Sequence, residues 1–195
     1  MRMKILIVTN QKYDEKNTEI RLRDEMTRRG HELSMIDVDD LDKGEKTEKG
    51  QRVSKCRVLQ KFFLYHQSYR ARHILAPALQ KHMLAHQYDV ILPMQIYAAE
   101  VVSALVKKEE NATAFTVMVS TENRSLPRKA KLACDDYVVT NERAIRTFME
   151  WGINIAQIHY VNVSDHAIRD ICDLIDTLAV QWMETTDVLT SEHPI

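Results

Sequence analysis

Two kinds of apolar pattern alternate along this chain. Met3 to Thr9 is a continuous apolar run broken only by Lys4, the pattern of a strand buried on both faces of a parallel sheet. Tyr88–Pro93, Phe115–Val119, Tyr137–Val139 and Gln157–Val163 repeat that pattern, and His31–Val38 alternates polar and apolar as a half-exposed strand does. Between these runs the apolar residues fall at helical spacing. Thr18 can cap a helix that turns Ile20, Leu22 and Met26 inward and stops at Gly30. Ile96, Ala99, Val102, Leu105 and Val106 share a face within 95–107. Ala144, Ile145, Phe148 and Trp151 share another, between a cap at Thr140 or Asn141 and a stop at Gly152. A short helix is expected around Lys129 to Leu132. A last helix carries Ile168, Ile171, Ile175, Leu178 and Trp182, with Ser164 or Asp165 as its cap. The alternation predicts an α/β protein: a doubly wound, mainly parallel Rossmann-like sheet of five or six strands with helices on both faces. Residues 1–185 are expected to form one such domain, and 186–195 a polar tail.

The segment between the second and third strands reads differently. Asp39 to Gly50 has the composition of a surface loop. From Lys49 to Tyr88 there is no acidic residue, while Lys61, Arg70 and Arg72 are among several cations interleaved with Phe62, Phe63, Leu64, Tyr65 and Tyr69. This predicts one helix or two, broken near Pro77, and a basic amphipathic face suited to an anionic membrane surface. The plainer reading is a core helix whose long cations snorkel from its rim. His66, His73, His82 and His86 have no acid beside them of the kind HExxH requires and are taken as surface residues, so no metal site is expected.

Composition narrows the function classes. A formal net charge of -1 gives no global attraction to nucleic acid, and a homo-oligomer is compatible with the composition. The three cysteines are far apart and show no CxxC spacing, which suits a reduced, cytoplasmic protein, and no apolar run is long enough to span a bilayer. With four glycines in the chain and neither GxGxxG nor a Walker loop, no glycine-rich cradle for a nucleotide diphosphate is expected, and no cofactor is expected to bind. In an open α/β sheet, ligands lie beyond the carboxyl ends of the strands, which makes Asn10 and Glu19 contact candidates.

The order of these pieces resembles the N-terminal half of the monogalactosyldiacylglycerol synthase group, which includes the processive diacylglycerol glucosyltransferases, within the two-domain GT-B glycosyltransferases. The resemblance runs from Lys4 to about Val163 and is carried by YDVILPMQIYAAEVVSALV, FTVMVSTE and CDDYVVTNERAIRTFMEWGI. It implies hexose transfer from a UDP-sugar to the hydroxyl of a lipid-type acceptor, with this half holding the acceptor and facing the inner surface of the membrane. The donor nucleotide would belong to a second domain or a separate donor-binding subunit, as in the two-subunit N-acetylglucosaminyltransferase of the dolichol pathway.

Where the group carries a histidine in a glycine-rich loop after the first strand, this chain has Asn10, Gln11, Lys12 and Tyr13. The group's Thr-Asp at the end of the fourth strand corresponds to Thr121 and Glu122, or to Ser120 and Thr121; only the first keeps a carboxylate. Sugar transfer needs a base for the acceptor and a cationic or amide-rich pocket for the departing diphosphate. Glu122 is the candidate base, a solvated loop acid being the plainer reading, and Thr121 a candidate cleft contact. Asp135 and Asp136 are read as loop acids at the surface. The competing function is a non-catalytic protein, derived from such a domain, that binds a lipid surface or a small ligand.

Overall fold

The computed structural model describes residues 1–9, 18–37, 69, 71–106, 114–120 and 130–192, with backbone alone for 187–192. Six parallel strands form one sheet: β1 (Lys4–Thr9), β2 (Glu32–Asp37), β3 (Val90–Pro93), β4 (Phe115–Ser120), β5 (Asp136–Val139) and β6 (Ile158–Tyr160). Their order across the sheet is β2-β1-β3-β4-β5-β6. The helices are α1 (Thr18–Arg28), α2 (Ala76–Ala85), α3 (Ile96–Val106), α4 (Glu142–Glu150) and α5 (Ala167–Glu192). A π-helical turn, Ala71–Leu75, leads into α2, and a 3-10 turn, Ile155–Gln157, leads into β6.

The continuous apolar runs become strands with both faces covered. Ile5 and Ile7 of β1, with Val90, Leu92, Val117, Val119 and Val138, pack under α1 and α5, where Leu22, Met26, Ile171 and Ile175 close the layer. Leu6, Val8 and Ile91 face the other way, toward α2 and α3, and Tyr137, Val139 and Met118 pack beneath α3 and α4 through Ala99, Ala144 and Phe148. Phe148 lies edge-on to Tyr137, their centroids 5.6 Å apart. Helix propensity is secondary here, because each helix is held by one apolar stripe against the sheet.

Both expected glycine stops are present. Gly30 (φ 92°) and Gly152 (φ 88°) sit in the left-handed region just past α1 and α4, and the following amides of His31 and Ile153 reach back to Met26 O and Phe148 O at 3.2 and 3.1 Å. Asn141 is the cap of α4, its Oδ1 accepting from the Arg143 amide at 2.9 Å. Pro77 lies in the first turn of α2, directly after the π-helical turn. Three boundaries differ from expectation. Ala130 to Leu132 is not helical. β6 covers only Ile158–Tyr160, because β5 offers it no longer partner. α5 runs on into the polar segment as far as Glu192.

Candidate functional site

Polar side chains mark both ends of the sheet, and they do different work at each. At the amino ends they satisfy backbone. Asp89 Oδ2 accepts from the Lys4 amide at 2.7 Å. Asp135 Oδ2 accepts from both the amide and the hydroxyl of Thr116, at 2.8 and 2.6 Å. The Met3 amide donates to Nδ1 of buried His31 at 3.3 Å, which places the imidazole proton on Nε2, 3.2 Å from Asp176 Oδ1. Asp136 and His159 meet across β5 and β6 at 2.8 Å; burial raises the Asp136 carboxyl from its ordinary range, and the bond from His159 works against that rise. Asp135 and Asp136 therefore tie strands together and are not the free loop acids expected.

At the carboxyl ends, three polar side chains meet beyond β1 and β3. After β1 the chain goes to β2 on one side and later returns to β3 on the other, so the crevice beyond β1 and β3 is the topological switch point of the sheet. Thr9 ends β1 with 2% exposure, and Gln95, two residues beyond β3, has 4%. Met94 is drawn against β1 by its amide bond to Val8 O, and the Gln95 carbonyl starts α3 by accepting from the Ala99 amide at 2.8 Å. These bonds hold the Gln95 side chain over the end of β1. Its Oε1 accepts from Thr9 Oγ1 at 3.1 Å and its Nε2 donates to Glu19 Oε1 at 2.8 Å. Glu19, half-buried, comes from the first turn of α1, where an acid also suits the helix dipole. Buried Asp37 ends β2 in register with Thr9, and buried Ser120 ends β4. Among the described strand ends at the switch point, the groups are hydroxyls, an amide and carboxylates, with no cation.

Of the residues singled out from sequence, the structure brings Glu19 to this crevice. Asn10, Thr121, Glu122, Lys61 and Arg70 lie outside the described residues. Arg72 is exposed on the π-helical turn. It lines a cavity of about 450 Å3 together with Ala71, Ala76, Val101, Ala104 and Lys131, a lining that shares no residue with the Thr9–Gln95–Glu19 cluster. Thr9, Gln95 and Asp37 are the residues that sequence reading missed; their signal was their position at or just past the carboxyl end of a strand. Of the histidines read as surface groups, His82 is half-buried and bonds the Tyr88 hydroxyl, and burial lowers its pKa, helped by the neighbouring His86. Among the described residues no cluster of metal-binding side chains is present, and no helix is long and apolar enough to cross a membrane.

No family model matches the chain, and no curated protein is similar to it. Among solved structures it is similar to the apo form of the lipopolysaccharide outer core galactosyltransferase WaaB, at a TM-score of 0.50 and 14% identity, over 83% of this chain and 46% of that one. A second likeness, to Smu.1420 from Streptococcus mutans UA159, has a TM-score of 0.34 and 9% identity over 91% of this chain and 98% of that one, too slight a match to bear on the fold. At such identity the galactosyltransferase speaks to architecture alone. What it shows is a shared Rossmann-like α/β fold, over less than half the length of that neighbour.

Proposed function

We propose that this chain is the acceptor-binding half of a GT-B glycosyltransferase of the monogalactosyldiacylglycerol synthase type. It takes a lipid-type acceptor, while a separate donor-binding subunit or domain brings the UDP-sugar. The observation that carries this reading is the chemistry of the switch-point crevice. Glu19, Asp37, Gln95 and Thr9 suit the hydroxyl of an acceptor, and among the described residues a diphosphate placed there would meet carboxylates. The span of the match fits the same division, since a complete GT-B site needs a second domain opposite this one. Work on glycolipids at the inner face of a membrane follows from such an acceptor, with the chain bound peripherally and inactive on its own.

The test is reconstitution. Transfer from UDP-glucose or UDP-galactose to 1,2-dioctanoylglycerol is expected from the chain mixed with the nucleotide-fold subunit that co-purifies with it, and from neither alone. The lone chain is expected to hold UDP more weakly than about 1 mM. Transfer by the lone chain would refute the division of labour. Lipid or small-ligand binding without transfer under any pairing would leave the non-catalytic reading in its place.

A further inference from the structure

The crevice holds a carboxylate that is aimed. Because the Glu19 carboxylate can only accept, the Gln95 amide turns its nitrogen toward it, and Oε1 is left to accept from Thr9 Oγ1. The relay runs through two side chains that are almost wholly buried and ends on one that is half-buried, so its direction is from the sheet out into the crevice. Among the described residues Gln95 is the hydrogen-bond partner of Glu19, through Oε1, and Oε2 carries no protein donor there. The dipole of α1 explains an acid in its first turn, but it does not call for a buried amide at the end of another strand to orient that acid. A buried amide at a strand end costs free energy unless both its ends are satisfied, and here both are.

We propose that Glu19 is the general base of the transfer and that Gln95, locked by Thr9, is its positioning residue. This rests on the transferase reading above and moves to Glu19 the role that sequence alone suggested for Glu122. As a lone pair of the acceptor oxygen bonds to the anomeric carbon of the nucleoside-diphosphate sugar, the bond from that carbon to the diphosphate oxygen breaks. The nucleoside diphosphate leaves with that electron pair. The acceptor O–H proton passes to Glu19 Oε2 and then to water, and the anomeric configuration inverts. Holding Oε1 against Gln95 points the remaining lone pairs at the hydroxyl and narrows the carboxylate's rotation, which is the geometric requirement on a base.

The experiment uses the reconstituted pair with UDP-glucose and 1,2-dioctanoylglycerol. E19Q keeps the shape of the side chain and is expected to lower kcat by about 100-fold or more, with the acceptor KM within about threefold and an unchanged thermal midpoint. Formate is expected to restore part of the activity of E19A. Q95A is expected to lower kcat about tenfold and to move the acid limb of the kcat pH profile, a shift that loss of packing alone would not produce. E19Q within twofold of the wild type would overturn the assignment and leave the transferase standing. Absence of transfer by the wild-type pair would bring down the transferase reading and this assignment with it.

Discussion

Glu25 shows how a single residue can contribute to the response of this protein to acid. Its carboxylate takes bonds from Arg28 at 2.7 and 2.9 Å and from Arg29 at 3.1 Å, and Arg29 continues to Asp173 and Asp176 on α5. The bonds from Arg28, then Arg29, hold its pKa at about 2 against an ordinary 4.5. The folded value is the lower one, so between the two the unfolded chain binds the proton that the folded chain refuses. The stability that Glu25 supplies is complete above pH 4.5 and is lost as pH falls toward 2. In urea titrations at pH 5 and pH 3, E25Q is expected to lose less stability than the wild type over that interval. Equal losses would show that the arginines act elsewhere. Little of this was legible in the sequence. Arg28 and Arg29 lie three and four residues from Glu25 and could be read from helical spacing, but Asp176 is 147 residues from Arg29. Asp135 was misread for the same reason, since its partner Thr116 belongs to the neighbouring strand.

Local chemistry served best at the level of elements. Strands β1, β3, β4 and β5 announced themselves as apolar runs, α1 by its stop and α4 by its cap and stop, because those signals lie within the element. The two stops also permit a clean measurement. A Cβ at Gly30 or Gly152 would meet nothing within 4 Å, so an alanine there would suffer from backbone conformation alone. G30A and G152A are each expected to lose about 1 kcal/mol of unfolding free energy, with no change in m-value. A loss near zero would mean that the left-handed turns relax. Where an element depends on its neighbour, sequence failed. β6 is cut short by the length of β5, and α5 continues past Thr185 because adding residues to an existing helix is easy even for a polar segment.

Across the whole molecule, the sheet and its two covered faces could be read from the alternation of runs, and strand direction made the carboxyl edge the candidate ligand edge. The cluster at that edge could not be read. Gln95 and Glu19 are 76 residues apart, and only the strand order, with β1 between β2 and β3, brings them together. That same three-layer order gives each face its own buried thiol. Cys172, on α5, is buried in the layer that α1 and α5 form, Cys134 lies beneath α3 and α4, and burial pushes each thiol up to about 12. Since the thiolate is the species that reacts, neither will meet an alkylating reagent until its layer lifts. The two cysteines are thus built-in clocks, one for each side of the sheet. Iodoacetamide labelling followed peptide by peptide is expected to give them one common rate, the mark of a molecule that opens as a unit; two rates would show that one layer of helices lets go while the other still holds.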